Sequence, residues 1–211
     1  PDLPEDAAVL ADGTLSDFAD ELENAIASVG DNVTVDAAST VTLGEAEDGS
    51  VVDAATTLYL DGEDWGFVFS CPVAGIDELV YLSYQGESYA QINGQDVPIE
   101  RTRGMVQGPN EDSERNVAIV RAASSISKYV FPDGSVSYDL ALDPEKVPES
   151  VKGSTFASLD EGAAAITLDS EGRLETCWFL LSGTAVDEQG GGPANAESSA
   201  TYGSYGTTTL E

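Results

Sequence analysis

Short segments in which apolar and polar residues alternate recur along most of this chain. A period of two residues places alternate side chains on opposite faces of a β-strand. Turn-forming sequences such as Asp-Gly-Glu-Asp at 61–64 and Asn-Gly-Gln-Asp at 93–96 separate the segments, so we expect them to pair as antiparallel strands. The predicted strands cover residues 33–43, 51–60, 65–71, 79–84, 88–92, 97–101, 135–142 and a hairpin at 163–186.

Two segments follow the helical period instead. In residues 14–30 apolar side chains recur every three or four positions, with Thr14 placed as N-cap and Gly30 as C-cap. Residues 112–130 return to the same spacing, which predicts a second helix that interrupts the strands. Residues 143–153 are acidic and proline-bearing, and they indicate a short helix or a loop.

The order helix, strands, helix, strands predicts an α+β fold, namely a curved antiparallel β-sheet or half-barrel with helices packed on the concave face. No clear linker divides the chain, so we expect one domain at residues 14–211, preceded by an acidic, aperiodic tether at residues 1–13. The closing segment, residues 200–211, alternates but is interrupted by Gly203 and Gly206. It is therefore predicted to be a bent last strand at the sheet edge.

The charge of the chain narrows its partners. Asp and Glu number 39 against 8 Lys and Arg, which gives a formal net charge of −31. Nucleic acid and anionic membrane surfaces are repelled by such a surface. The apolar runs fall well short of the roughly 20 residues that span a bilayer, so no transmembrane span is predicted. Two environments suit this acidity: high salt, which screens the repulsion, and the outside of certain bacterial cells.

The residue types present offer little for catalysis. The chain has no His and only two cysteines, which argues against a zinc site, and no metal or cofactor is predicted. The densest carboxylate clusters, at 61–64 and 169–172, lie in predicted turns, where Asp and Gly are favoured for backbone reasons. We therefore expect no catalytic residues and no enzyme. Cys71 and Cys177 are either two separate buried thiols or, in an exported protein, a disulfide.

Aromatic side chains on the predicted strands have two interpretations. They fill an ordinary core, or some of them line a cavity between the sheet and the helices, because apolar ligands are held mainly by such side chains. The cavity candidates are Trp65, Phe67, Phe69, Tyr81, Tyr138 and Trp178.

Several of these features together resemble a known family. A helix leading into a meander, a middle helix, the segment ITLDSEGRLETCWF at 166–179 and the closing ATYGSYGTTTLE are similar to the exported lipoproteins of the LppX/LprG kind and, more distantly, to the LolA and LolB lipoprotein carriers. The likeness covers roughly residues 14–210. It implies a half-open barrel whose concave face, roofed by helices, holds an acyl chain or another apolar ligand.

The resemblance also implies attachment to a membrane outside the cytoplasm through a lipidated N-terminal cysteine. The sequence departs from the family in showing no such cysteine, which a preceding segment would have to supply, and in its extreme acidity. The first hypothesis is thus a monomeric envelope lipoprotein that carries a hydrophobic ligand. The second is an envelope interaction or structural module that binds a protein partner, and the third is a soluble protein of a salt-loving organism.

Overall fold

The computed structural model describes residues 8–44, 49–102, 105–106, 108–186 and 191–210. Within them the chain forms three α-helices: α1 Leu15–Ala27, α2 Pro109–Arg121 and α3 Glu149–Lys152. The twelve strands are β1 Val9–Leu10, β2 Asn32–Leu43, β3 Ser50–Asp61, β4 Asp64–Cys71, β5 Ile76–Tyr84, β6 Glu87–Ile92, β7 Gln95–Asp96, β8 Ala123–Val130, β9 Val136–Leu142, β10 Phe156–Leu168, β11 Leu174–Ala185 and β12 Pro193–Gly203.

All twelve strands belong to one antiparallel sheet in the order β1-β8-β9-β10-β11-β12-β2-β3-β4-β5-β6-β7. The two outermost strands, β1 and β7, have two residues each and do not pair with each other, so the sheet is open. The predicted fold class, an α+β half-barrel, is therefore confirmed. Strand β1 lies within residues 1–13, the segment predicted to be a tether, and pairs with the end of β8.

Helix α1 packs on the concave face because its apolar residues form one stripe. Phe18, Leu22 and Ile26 recur at intervals of four and are buried, and the Phe18 ring meets the edge of the Tyr138 ring with centroids 6.2 Å apart. Thr14 caps the helix as predicted, in a capping box with Asp17. At the other end the C-cap is Ser28, two residues before the predicted Gly30.

The second helix is shorter than predicted. Helix α2 ends at Arg121, and residues 123–130 form β8, which pairs with β9. Ile126 and Val130 fit a helical spacing of four, but they fit the alternation of a strand equally well. The pairing of this segment with β9, and not the spacing of its apolar residues, decides between the two conformations. The predicted strand at 97–101 is also wrong: Pro98 has no N–H to donate, and a 3-10 turn occupies Ile99–Thr102.

The C-terminal strand lies at the centre of the sheet, so its prediction as an edge strand is wrong. Strand β12 pairs with β11 on one side and with β2 on the other. It thereby joins two antiparallel meanders, β2–β7 and β8–β11, into one sheet. The strand ends at Gly203, and a turn follows in which Ser204 and Gly206 have positive φ angles of 54° and 69°.

The sheet bends where β10 meets β11. The register between these strands shifts near Ser158 and Leu159, and Gly183 lies opposite Leu159. A Cβ atom on Gly183 would lie 2.1 Å from the carbonyl oxygen of Ser158, so only glycine fits this close backbone approach. β-Bulges of this kind increase the local twist and curve a sheet.

Candidate ligand cavity

A large cavity lies between the concave face of the sheet and the ends of the two long helices. Its volume is about 880 Å³. Strands β2, β3, β4 and β12 form its floor, the C-terminal end of α1 and the first turn of α2 form its roof, and the β3–β4 turn closes one side. The lining residues are Ile26, Ala27, Val29, Gly30, Asp31, Val35, Leu58, Leu60, Gly62, Glu63, Trp65, Asn110, Asp112, Ser113 and Tyr202.

The floor of this cavity is aliphatic. Val35 of β2 lies directly opposite Leu58 of β3, and two positions along the same strand Leu60 lies opposite Trp65 of β4. Strand alternation turns all of these side chains to the concave face. Val35, Leu58 and Leu60 are buried, and Ile26 of α1 borders the same space from the roof. The centre of the cavity is therefore apolar.

The rim is polar and acidic. Asp31, Glu63 and Asp112 line the cavity together with Asn110 and Ser113, and no Lys or Arg is among its described lining residues. The backbone N–H of Gly62 donates to the carbonyl oxygen of Asp31 at 2.7 Å, which ties the end of α1 to the β3–β4 turn that carries Glu63. Two exposed carboxylates from different elements thus stand on the same side of the opening.

A buried polar network fixes α2 to the central strand β12. The hydroxyl of Tyr202 donates to Oδ2 of Asp112, and Nδ2 of Asn116 donates to the Tyr202 hydroxyl at 2.7 Å. Burial, together with the negative charge of Asp112, raises the pKa of Tyr202 far above its ordinary value. Arg115 pairs with the same Asp112 and lies over the Phe179 ring, 5.8 Å from its centroid. The network sets the height of the helix above the sheet at one end of the cavity.

Two of the six predicted aromatic residues border cavities. Trp65 lines the large cavity, and its ring lies 4.9 Å from that of Tyr81. Both side chains also line a second cavity of about 380 Å³, together with Ile99, Thr102 and Val106. The side chain of Trp65 therefore lies at the border between the two spaces.

The structure places the other four predicted aromatic residues elsewhere. Phe67 and Phe69 are stacked with centroids 6.2 Å apart and pack into the core, and Tyr138 is buried beneath α1, where its hydroxyl donates to Glu21 at 2.7 Å. Trp178 lies on the convex face, because its strand neighbour Cys177 points inward, and its Nε1 donates to Glu197 at 2.7 Å. None of the four is among the described residues that line the large cavity.

Of the two alternatives for the cysteines, the structure has two separate buried thiols, because Cys71 and Cys177 are both free and buried. They lie on β4 and β11, with β12, β2 and β3 between them. At the usual strand spacing this separates them by on the order of 19 Å along the sheet, whereas bonded cysteines have Cα atoms within about 7 Å. Burial raises the pKa of the Cys177 thiol to about 12, so the thiol is protonated and inert at neutral pH.

Sequence reasoning missed the network residues and the acidic rim. Asn116 precedes Val120 by four positions, which places a polar amide on the apolar face of the predicted helix. That misfit was the available signal, because a buried polar side chain is expected to have a partner. Asp31 and Glu63 carried no such signal in a chain with 39 carboxylates.

The described residues contain no group of three or more His, Cys, Asp or Glu side chains arranged to hold a metal ion. The helices in the same part of the chain are all too short or too polar to cross a bilayer.

Comparison with known proteins gives structural neighbours only. No protein-family model matches the sequence, and neither does any curated protein. LprF from Mycobacterium bovis is 14% identical over 94% of this chain and 97% of its own, with a TM-score of 0.47. A LolA superfamily protein from Nitrosomonas europaea and a DUF1329 family protein from Desulfovibrio piger are each 10% identical over 91% of this chain and 92% of their own, with TM-scores of 0.32 and 0.31.

The sequence resemblance to the LppX/LprG and LolA group is thus matched among the structural neighbours, which include LprF and a LolA superfamily protein. At these TM-scores the likeness says nothing about a ligand or a cellular location. The function of this chain has to be argued from its own residues.

Proposed function

We propose that the protein is a non-enzymatic carrier that binds a hydrophobic, lipid-like ligand in the cavity between the sheet and the helices. The observation that supports this most directly is the aliphatic floor of Val35, Leu58 and Leu60 beneath a space of about 880 Å³. Ligand cavities in proteins are commonly about 300–1,000 Å³ and mostly apolar, with a few polar groups that orient the ligand. An apolar floor with a polar rim fits a ligand with a chain and a head group.

The energetics of burial set the expected affinity. Each buried methylene contributes about 0.8 kcal/mol, so a ten-carbon segment would contribute about 8 kcal/mol before the entropic cost of association is subtracted. That cost is at least about 4 kcal/mol, which leaves at most about 4 kcal/mol, or a dissociation constant of about 1 mM, unless the head group adds to it. A carrier that must release its ligand benefits from weak binding of the chain alone.

We extend the proposal to the cellular setting that the family resemblance implies. The protein would act outside the cytoplasm as a monomer with one domain at residues 14–211, attached to the membrane through a lipidated cysteine in a segment that precedes residue 1. Sequencing the precursor tests this part of the proposal. A signal peptide that ends in small residues and a cysteine supports it, and a precursor without either contradicts it.

The two tryptophans provide a matched test of ligand binding. Trp65 lines the cavity, whereas Trp178 lies on the convex face, so W178F keeps the cavity reporter and W65F keeps only the outer one. Each variant is titrated with dodecyl maltoside below its micelle concentration while tryptophan emission is recorded. We expect a saturable blue shift in W178F and no saturable change in W65F.

Two results would contradict the carrier proposal. No saturable response in W178F would show that the cavity does not accept an alkyl chain. Equal responses in both variants would show that the detergent coats the surface instead. Native mass spectrometry of the W178F complex provides an independent count of bound detergent molecules, for which we expect one or two.

A further inference from the structure

We infer that the cavity selects amphiphiles with a cationic head group, in particular a quaternary ammonium, over those with an anionic head group. This inference rests on the proposed function, because it concerns the head group of the ligand whose chain the cavity would hold. It is carried by three features of the rim: its carboxylates, the helix ends that meet there, and the aromatic ring of Trp65.

The carboxylates of Asp31 and Glu63 are the uncompensated charges of the rim. Asp112 also lines the cavity, but its charge is shared with Arg115. Among the described ion pairs none involves Asp31 or Glu63, and both residues are exposed at the opening. A cationic group seated between them would neutralise charge that the protein leaves unpaired. An anionic group would add to the repulsion.

The ends of the helices reinforce this preference. The C-terminal end of α1 opens at the rim, where Val29 and Gly30 line the cavity, and the last turn of this helix contains no basic residue. The macrodipole of the helix places about half a negative charge at this end. The N-terminal end of α2 faces the same space with about half a positive charge. Glu111 in the first turn of α2 offsets that positive charge, while Asp112 is paired with Arg115.

Trp65 adds a surface that favours one kind of cation. It is half-buried, lines the cavity, and follows Glu63 by two residues, so an indole ring and a carboxylate border the same side of the opening. The ring face of Trp attracts cations, most strongly where water is excluded. A quaternary ammonium suits this position because its methyl groups make apolar contacts with the ring while its charge interacts with the carboxylates.

Two basic residues in a groove beside the cavity do not favour an anionic ligand. A shallower groove of about 480 Å³ shares Ile26, Ala27 and Ser113 with the cavity and is lined by Arg121 and Lys146. Arg121, however, makes two hydrogen bonds to Glu23, at 2.9 and 2.8 Å, and Lys146 pairs with Asp143 at 3.4 Å. The positive charge of both residues is therefore already balanced.

The test compares three detergents that share a dodecyl chain. Dodecyltrimethylammonium, dodecyl maltoside and dodecyl sulfate are titrated below their micelle concentrations into W178F, with Trp65 emission as the readout. At low salt we expect the cationic detergent to bind about tenfold more tightly than the anionic one, with the neutral one between them. At 1 M salt, where the Debye length is about 3 Å, we expect the difference in affinity between the cationic and the anionic detergent to become smaller.

A matched charge control separates the rim from the surface as a whole, since a net charge of −31 attracts any cation. The rim variant D31N/E63Q and the distant variant D139N/E161Q, both in W178F, each lose two negative charges. Asp139 and Glu161 are exposed on β9 and β10, neither of which contributes a described lining residue to the cavity. We expect the rim variant to reduce the preference for the cationic detergent at least about threefold and the distant variant to leave it nearly unchanged.

Each outcome of this experiment has a distinct meaning. Equal reductions in the two double variants would overturn the role of the rim, as would equal affinities for the cationic and anionic detergents in W178F. In both cases the saturable binding of a dodecyl chain would still support the carrier proposal. If none of the three detergents produces a saturable response, the carrier proposal fails and the head-group inference fails with it.

Discussion

The two halves of the sheet share the same alternation of apolar and polar side chains, but one half forms a packed core and the other borders a cavity. On the concave face of β9–β11 the side chains are large and fully packed: Tyr138, Ile166 and Leu181 are each at most 1% exposed. On the concave face of β2 and β3, Val35, Leu58 and Leu60 line the large cavity, and further along the same face Ala37 and Thr56 are only half-buried. One half is therefore a closed core, and the other leaves space beneath the helix ends.

The comparison teaches that helix coverage, and not strand patterning, determines where a half-barrel is hollow. Helix α1 packs over β8 and β9, where Phe18 meets Tyr138, and its last turn borders the cavity above β2 and β3. The Tyr202 network then holds the start of α2 above the central strand. The closed half would provide most of the stability, and the open half would be available for a ligand.

The largest expected difference concerns equivalent truncations in the two halves. I166A removes a side chain that is 0% exposed from the closed core, and we expect a loss of about 2–5 kcal/mol in the free energy of unfolding. L58A enlarges a cavity that already exists, so fewer packing contacts disappear and the loss should be about half as large. Denaturant unfolding of both variants at one salt concentration checks this. Equal losses would contradict the division into closed and open halves.

A smaller loss of stability is expected when the polar network around Tyr202, which joins α2 to β12, is broken. Y202F removes the hydroxyl that joins Asp112 and Asn116 and leaves buried polar groups without that partner. We expect a loss of about 1–3 kcal/mol. Y205F is the control, since its hydroxyl donates to the backbone of Leu174 at 2.6 Å near the surface and should matter less. If Y202F loses no more free energy of unfolding than Y205F, the network does not hold α2 on β12.

The smallest effect concerns the pH dependence of the contact between α1 and the closed half. Lys128 and then Tyr138 hold the pKa of Glu21 below its ordinary value of 4.5. A lowered pKa in the folded state means that Glu21 stabilises the protein above about pH 4.5 and that this contribution is lost as pH falls through the folded-state pKa.

Because the Glu21 side chain is 47% exposed, solvent screening limits its contribution to less than about 1 kcal/mol. E21Q should therefore flatten the fall in Tm between about pH 5 and 3 slightly, as measured by calorimetry. An acid sensitivity identical to that of the unmodified protein would show that the ion pair adds nothing to the packing of α1.

Much of the fold could be predicted because its strands carry a clear alternation. The strands at 33–43 and 51–60 and the hairpin around 169–172 were found close to their observed positions. Helix α1 could also be predicted, because its stripe of apolar residues and its Thr14 N-cap are signals within one short stretch of sequence. The site was predicted less well: of the six aromatic candidates Trp65 lines the large cavity and Tyr81 the smaller one, while Asp31, Glu63 and Tyr202 were missed.

Local patterning settles which side chains share a face, because the period of a strand or a helix follows from backbone geometry alone. It does not settle which strands become neighbours. The central place of β12 and the separation of Cys71 from Cys177 depend on pairing between residues far apart in the chain, and the strand conformation of residues 123–130 depends on the hairpin that they form with β9. Whether the concave face is filled or hollow depends in turn on how far α1 and α2 reach across that assembled sheet, which no short stretch of residues encodes.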